Sequence, residues 1–244
     1  MCSLFVVLGS DPDYPILVGA NRDEVRSRPA SPPGLYVGSR RRILSPRDRQ
    51  AGGTWMGVND RLWFAGLTNV AGGERRPGAA TRGTLPHLAL DQREFADVEG
   101  AIADEVDARV YNDFQLLVTD GSNVVAFRKV GSSLAVEHPQ VRILTLTNEH
   151  ELNALVVPDL TQVTQGAATI AERMAVLARL LLDDGRHTGH RVLKAGGEYG
   201  TVSSSLVAVP RVDARQLSWK YAAGSPDQAP YRDYGNLGRR LLPE

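Results

Sequence analysis

Cysteine is almost missing from this chain: Cys2 is the only one in 244 residues. An internal disulfide is thereby excluded, which fits a reducing compartment or indifference to redox. Net charge is missing as well. With 28 basic and 28 acidic residues, no overall field draws the protein to nucleic acid or to an anionic membrane. No stretch approaches the roughly 18 apolar residues that a membrane-crossing helix needs. The N-terminus lacks the basic start of a signal peptide, and its apolar run stops at Gly9-Ser10-Asp11-Pro12-Asp13. A cytoplasmic location is expected. Repeats and low-complexity tracts are absent. Ser203-Ser204-Ser205 lacks a Gly-x-Ser-x-Gly elbow, and Gly72-Gly73 and Gly196-Gly197 lack the lysine and strand–loop–helix setting of a phosphate cradle. His187-Thr188-Gly189-His190 offers two imidazoles, but no third ligand stands nearby in sequence, so neither a metal nor another cofactor is expected.

What is present is an ordinary globular composition, 42% hydrophobic and 23% charged, in a chain long enough for one large domain or two small ones. Leu4–Gly9 and Pro15–Ala20 are short apolar runs around a Ser-Asp-Pro-Asp turn, which predicts a strand pair. Residues Arg26–Gln50, rich in Arg, Pro and Ser, read as a long surface excursion, with Arg40-Arg41-Arg42 on a solvated loop. Gly52–Asn59 followed by Leu62–Asn69 reads as a second hairpin turning at Asn59-Asp60-Arg61. Phe95, Val98, Ile102 and Val106 recur at helical spacing, as do Ile170, Met174, Leu177 and Leu181. Strands are predicted at Phe114–Thr119, Val124–Val130, Val141–Thr147, Ser204–Val209 and Gln216–Tyr221. Strands in blocks separated by helices imply an α+β fold with antiparallel sheets, and enough strands for two of them.

The chemistry concentrates at strand ends. Removal of Met1 would leave Cys2 with a thiol and a free α-amine, a nucleophile beside a base whose usual pKa of about 8 suits proton transfer. Position alone leaves this reading level with an inert small hydrophobe at the start of a buried strand. Asn21-Arg22-Asp23-Glu24 closes the second strand, and Asp23 could hold the cysteine and its amine in register. Two apolar strands end in Thr-Asn, at Thr68-Asn69 and Thr147-Asn148, and a strand-end amide can donate to a developing oxyanion. Strand alternation sends Arg22 to the side opposite Asn21 and Asp23.

These residues stand in a series: Met1-Cys2, Asn21-Arg22-Asp23-Glu24 with Arg28-Pro29, Gly52-Gly53-Thr54-Trp55-Met56-Gly57, Leu67-Thr68-Asn69, Arg82-Gly83, Tyr111–Leu116, Leu146-Thr147-Asn148 and Tyr199-Gly200-Thr201. In that order they resemble the NRDE family, also called the transport and Golgi organisation protein two family. The resemblance spans nearly the whole chain and implies one domain over residues 1–244. It implies the four-layer αββα sandwich of N-terminal-nucleophile (Ntn) hydrolases, with the bile-salt hydrolases and penicillin V acylases as the nearest pattern. Carried over, Cys2 is the nucleophile, Asp23 stands beside it, and Asn69 and Asn148 serve the oxyanion. Asn21, Arg22, Trp55, Thr68 and Arg82 would contact the substrate. Two departures stand out. The arginine before Asn-x-Asp in the acylases is Ala20 here, and Gly200-Thr201-Val202-Ser203 replaces the family's Gly-Thr-Arg-Ser, so the site is expected to lack cations at both places. The implied activity is hydrolysis of a non-peptide C–N bond in a small acylated molecule. The alternatives are a haem or lipid-like ligand carrier and a relic without ligand chemistry.

Overall fold

Among the described residues each pair of neighbouring strands is antiparallel, and the strands divide into two sheets. A computed structural model describes residues 2–73, 75–155 and 157–242. Met1, on whose removal a free Cys2 amine depends, lies outside the described residues. In chain order the elements are β1 (Cys2–Leu8), β2 (Ile16–Val25), β3 (Ala30–Val37), β4 (Arg42–Asp48), β5 (Met56–Asn59) and β6 (Phe64–Asn69). Helices α1 (Thr84–Leu90) and α2 (Asp97–Ala108) follow, then β7 (Phe114–Thr119), β8 (Val124–Val130), β9 (Ser133–Glu137) and β10 (Ile143–Thr147). The chain ends with α3 (Asp159–Gln165), α4 (Ile170–Leu180), β11 (Tyr199–Val209), β12 (Ser218–Ala222) and β13 (Arg232–Asp233). One sheet runs β10-β1-β2-β11-β12-β13, the other β3-β4-β5-β6-β7-β8-β9.

Alternation along β1 and β2 sorts the core. Leu4, Val6, Leu8, Ile16 and Val18 face the second sheet and pack with Met56, Val58, Phe64 and Leu117. Phe5, Val7 and Leu17 face the other way, against Leu160 of α3 and Leu177 and Leu180 of α4. On the far side of the second sheet, Ala65, Leu116 and Phe127 pack against Leu85, Leu90, Val98 and Ile102 of α1 and α2. Three apolar layers therefore separate four structural ones, helix–sheet–sheet–helix, as a face-to-face sheet pair with covered outer faces requires. The two sheets come close at Gly66 of β6, where a Cβ would stand 2.5 Å from Leu4 Cδ2.

The hairpins at the N-terminus and at Asn59, both helical stripes and the strands between them form as expected. The long surface excursion does not. Residues 30–37 and 42–48 form β3 and β4, with β3 at the sheet edge and a register shift between Ser31 and Gly34 that accommodates Pro32 and Pro33. Proline is tolerated on an edge strand or at a bulge, because no neighbour needs its missing N–H. β4 has only Ile43 and Leu44 as apolar pins, one to each core, so its polar composition masked it. Among the described residues no helix is long and apolar enough to cross a membrane.

Candidate active site

Cys2 opens β1, and its register partner on β2 is Arg22. On the other flank, β10 pairs Thr147 with Ser3, so Asn148 follows one residue later, level with Cys2. β1 thus carries the thiol between an arginine and an asparagine. From the opposite sheet, β6 ends at Asn69 over the same region.

The two Thr-Asn strand ends meet. Ala71 N–H, two residues beyond Asn69, donates to Asn148 O at 2.7 Å. Gln115 of β7 reaches across from the second sheet, donating through Nε2 to Thr147 O at 2.8 Å and to His150 O at 3.0 Å. That bridge fixes the turn carrying Asn148, which is buried and whose side-chain Oδ1 position makes no hydrogen bond. The oxygen and nitrogen of an amide interchange by a flip, so this unengaged end can present a donor.

A cavity of about 90 Å³ is lined by Cys2, Arg22, Asp23, Trp55, Asn69 and Arg82. Glu24, Arg28 and Asp48 complete a charged rim. Asn69, Arg82, Glu24 and Arg28 are shared with an adjoining trough of about 400 Å³, whose walls include Asn148, Arg75, Asn112 and Tyr199. Two of the expected contact residues lie elsewhere. Asn21 points to the helical side and donates from Nδ2 to Leu181 O (2.8 Å) and Val192 O (3.1 Å), a structural tie for the segment before β11. Thr68 is fully buried and lines neither space.

Arg22 supplies the cation that Ala20 and Val202 led us to expect was missing. Because it alternates away from Asn21, its guanidinium enters the space between the sheets, 4.5 Å over the Trp55 ring. Nη2 lies 3.9 Å from Asp48 Oδ2, while Nη1 is buried and makes no hydrogen bond. A desolvated donor left open in this way is costly unless something binds it. Asp48 itself is claimed mainly by Arg28, through Nε at 2.9 Å and Nη2 at 2.6 Å. Despite its burial, that arginine and the Gln50 and Ala51 N–H groups hold the carboxyl below its usual range. Asp48 had no signal in the sequence, since it sits inside the Arg/Pro/Ser-rich stretch.

Cys2 as a residue is half-buried, yet its thiol is enclosed. Burial and, after it, the Asp23 charge push the thiol pKa up, against the Asp23 backbone N–H donated to it and the nearby Arg22 charge. Asp23 therefore touches the thiol through its main chain. Its carboxylate accepts from Thr201 Oγ1 at 2.7 Å, and Thr201 in turn accepts from Lys194 N–H at 3.0 Å. Desolvation raises the Asp23 carboxyl to about 6, partly opposed by the Thr201 bond. A carboxyl poised there is ionised at neutral pH but holds a proton in mild acid.

Residues 1–175 match the family model described as Transport and Golgi organisation 2. The mouse Transport and Golgi organization 2 homolog is 30% identical over 128 residues, 49% of this chain and 45% of the relative. The bovine homolog is 31% identical over 129 residues, with the same coverage. The match thus spans less than half the length of these curated relatives. Among solved structures, the C2A mutant of conjugated bile acid hydrolase from Clostridium perfringens superposes with a TM-score of 0.52 at 11% identity, covering 96% of both chains. The Caenorhabditis elegans N-acylethanolamine-hydrolyzing acid amidase ortholog superposes at 0.57 and 13% identity, over 85% of this chain and 92% of that one. At such identities the likeness establishes the fold, an Ntn-hydrolase-like sandwich.

Proposed function

The chain is a member of the Transport and Golgi organisation 2 family with an Ntn-hydrolase-like fold, and we propose that it is a cysteine amidohydrolase acting on a non-peptide amide of a small acylated molecule. The carrying observation is the register of β1: the thiol of its first residue stands between Arg22 and the level of Asn148, in a small polar cavity that Asn69 also lines.

In this reading the enzyme form has lost Met1. The α-amine of Cys2 takes the thiol proton, and Sγ attacks the amide carbonyl carbon. Charge develops on the carbonyl oxygen, where the amides of Asn69 and Asn148 donate to it. As the C–N bond breaks, the proton passes from the α-amine to the departing nitrogen, leaving an acyl thioester on Cys2. Water, deprotonated by the same amine, then hydrolyses the thioester and restores the thiol. Asp23 holds thiol and amine in register through its backbone N–H and its carboxylate.

The small inner cavity suits an amide group with little around it, and the 400 Å³ trough gives the remainder of the substrate a polar, arginine-rich bed. The charged rim of Arg22, Arg28, Asp48 and Arg82 favours a polar small molecule over the flat apolar face of haem, which calls for a mostly apolar pocket. The test is turnover of short- to medium-chain N-acyl amides by processed protein, its Cys2→Ala variant and protein that retains Met1. Only the first is expected to release amine. Equal release by all three would remove Cys2 from the reaction.

A further inference from the structure

The two histidines of the 187–190 segment separate in the fold. His187 swings out to Asp159, with Nε2 2.9 Å from Oδ2. His190 turns inward, 8% exposed, to a place beside the end of β10. There its ring meets that of His150 with centroids 5.1 Å apart, and its Nδ1 lies 3.8 Å from Glu149 Oε2. One ligand atom each of Glu149, His150 and His190 lies within 4.8 Å of the other two. His187 has no part in this cluster; the two ligands that join His190 come from residues 149–150, brought in by the fold.

We propose that Glu149, His150 and His190 form a binding site for a divalent transition-metal ion of the zinc type, joining the end of β10 to the segment before β11. The donor set of two imidazoles and one carboxylate is one that zinc accepts, with a fourth position left for water. Tetrahedral ligands about 2.0–2.1 Å from a metal stand roughly 3.3 Å apart, so the three side chains need to close by about 1.5 Å at most. Side-chain rotation on two loop segments supplies that.

Three features prepare the site. Glu149 is oriented by Lys194, whose Nζ donates to Oε1 at 2.9 Å and leaves Oε2 facing His190. His190 Nε2 is buried and makes no hydrogen bond, an unmet demand on the ring whose Nδ1 faces Glu149. His150 is fixed from behind, its N–H bonded to Thr147 Oγ1 and its carbonyl held by Gln115.

The site borders the proposed active centre without sharing a residue with it. Glu149 follows Asn148 directly, and Lys194 N–H supports Thr201, the partner of Asp23. A bound ion would therefore brace the two loops that carry these groups. The inference does not depend on the hydrolase reading.

Metal-stripped protein is dialysed against Zn²⁺, and separately against Co²⁺ with its visible spectrum followed. One ion per chain is expected, with Co²⁺ giving the intense bands of a low-coordinate site and Zn²⁺ raising the melting temperature. His190→Ala, His190→Gln and His150→Ala should each lose at least tenfold in affinity, consistent with loss of one of three ligands. His187→Ala and Cys2→Ser should bind as the parent does. Circular dichroism of each variant guards against loss of fold, and the two His190 substitutions differ in the volume they leave. No stoichiometric uptake, uptake indifferent to His150 and His190, or uptake lost with His187 or Cys2 would each overturn the site. In those cases Glu149 and Lys194 form only an ion pair.

Discussion

Cys2 and Arg22 are direct cross-strand partners, and the arginine's guanidinium is held over Trp55 within the same cavity as the thiol. A cation there favours the thiolate, against the burial that raises its pKa. Arg22→Met, which keeps much of the side-chain volume, is expected to move the midpoint of Cys2 alkylation to higher pH. The rate near neutral pH should fall with it, because less of the thiol is ionised. Iodoacetamide kinetics across pH measure this. An unchanged midpoint would mean that Arg22 is a packing residue only.

Asp23 gives a pH dependence with a definite sign. Its carboxyl is raised from 3.8 to about 6 by desolvation, so between those values the folded chain binds the proton that the unfolded chain has released. Folding stability therefore falls as pH rises from about 4 to about 6, by roughly 3 kcal/mol for this group, and stays lowered above. Asp23→Asn removes the buried charge while leaving Thr201 an oxygen to donate to. It should melt higher than the parent at pH 7.5 and no higher at pH 4, while losing turnover. Melting curves at the two pH values check the first part and amine release the second.

The strand-end asparagines are expected to act in kcat. Asn69→Ala and Asn148→Ala should each cost about a hundred- to a thousandfold in kcat with little change in KM, the size of one lost oxyanion donor. Loss of the Asn148 side chain should not unfold the protein, since its turn is held at main-chain carbonyls by the Ala71 N–H and the Gln115 side chain. Steady-state kinetics separate this from a substrate-binding role, which would appear in KM instead.

Gly53 is the turn on which one cavity wall depends. Its φ is +75°, and a Cβ there would lie 2.4 Å from the Gly83 carbonyl carbon and oxygen. Thr54 N–H donates to Gly83 O at 2.8 Å, so this contact joins the segment carrying Trp55 to the one carrying Arg82. Gly53→Ala should cost roughly 2 kcal/mol or more through backbone strain and steric conflict. Chemical denaturation reads the loss, and Trp fluorescence reads the displaced wall.

Much of this was legible in the sequence because the signals were local. Apolar runs marked β1, β2, β7 and β8, helical spacing marked α2 and α4, and Cys2, Asp23, Asn69 and Asn148 all stood at recognisable strand ends. What stayed hidden was set by partners distant in sequence. β3 is a polar edge strand and β4 the polar strand between it and β5, with two apolar side chains to announce the second of them. The short α1 and α3 and the edge strand β9 have too few residues to show a period. Alternation correctly sent Arg22 away from Asn21, but that this side held the thiol followed only from the β1–β2 register. The same limit hid the coming together of His190 with Glu149 and His150, on segments that no pattern connects.

The central claim is that Cys2, freed of Met1, carries the acyl group. Intact-mass spectrometry of protein quenched during reaction with an N-acyl amide tests it most directly. The account expects a chain lighter by one methionine that gains the mass of one acyl group, mapped by peptide analysis to Cys2 and lost again on standing in water. A chain that keeps Met1, or one that is processed yet turns over amide with its acyl group elsewhere or nowhere, would contradict it.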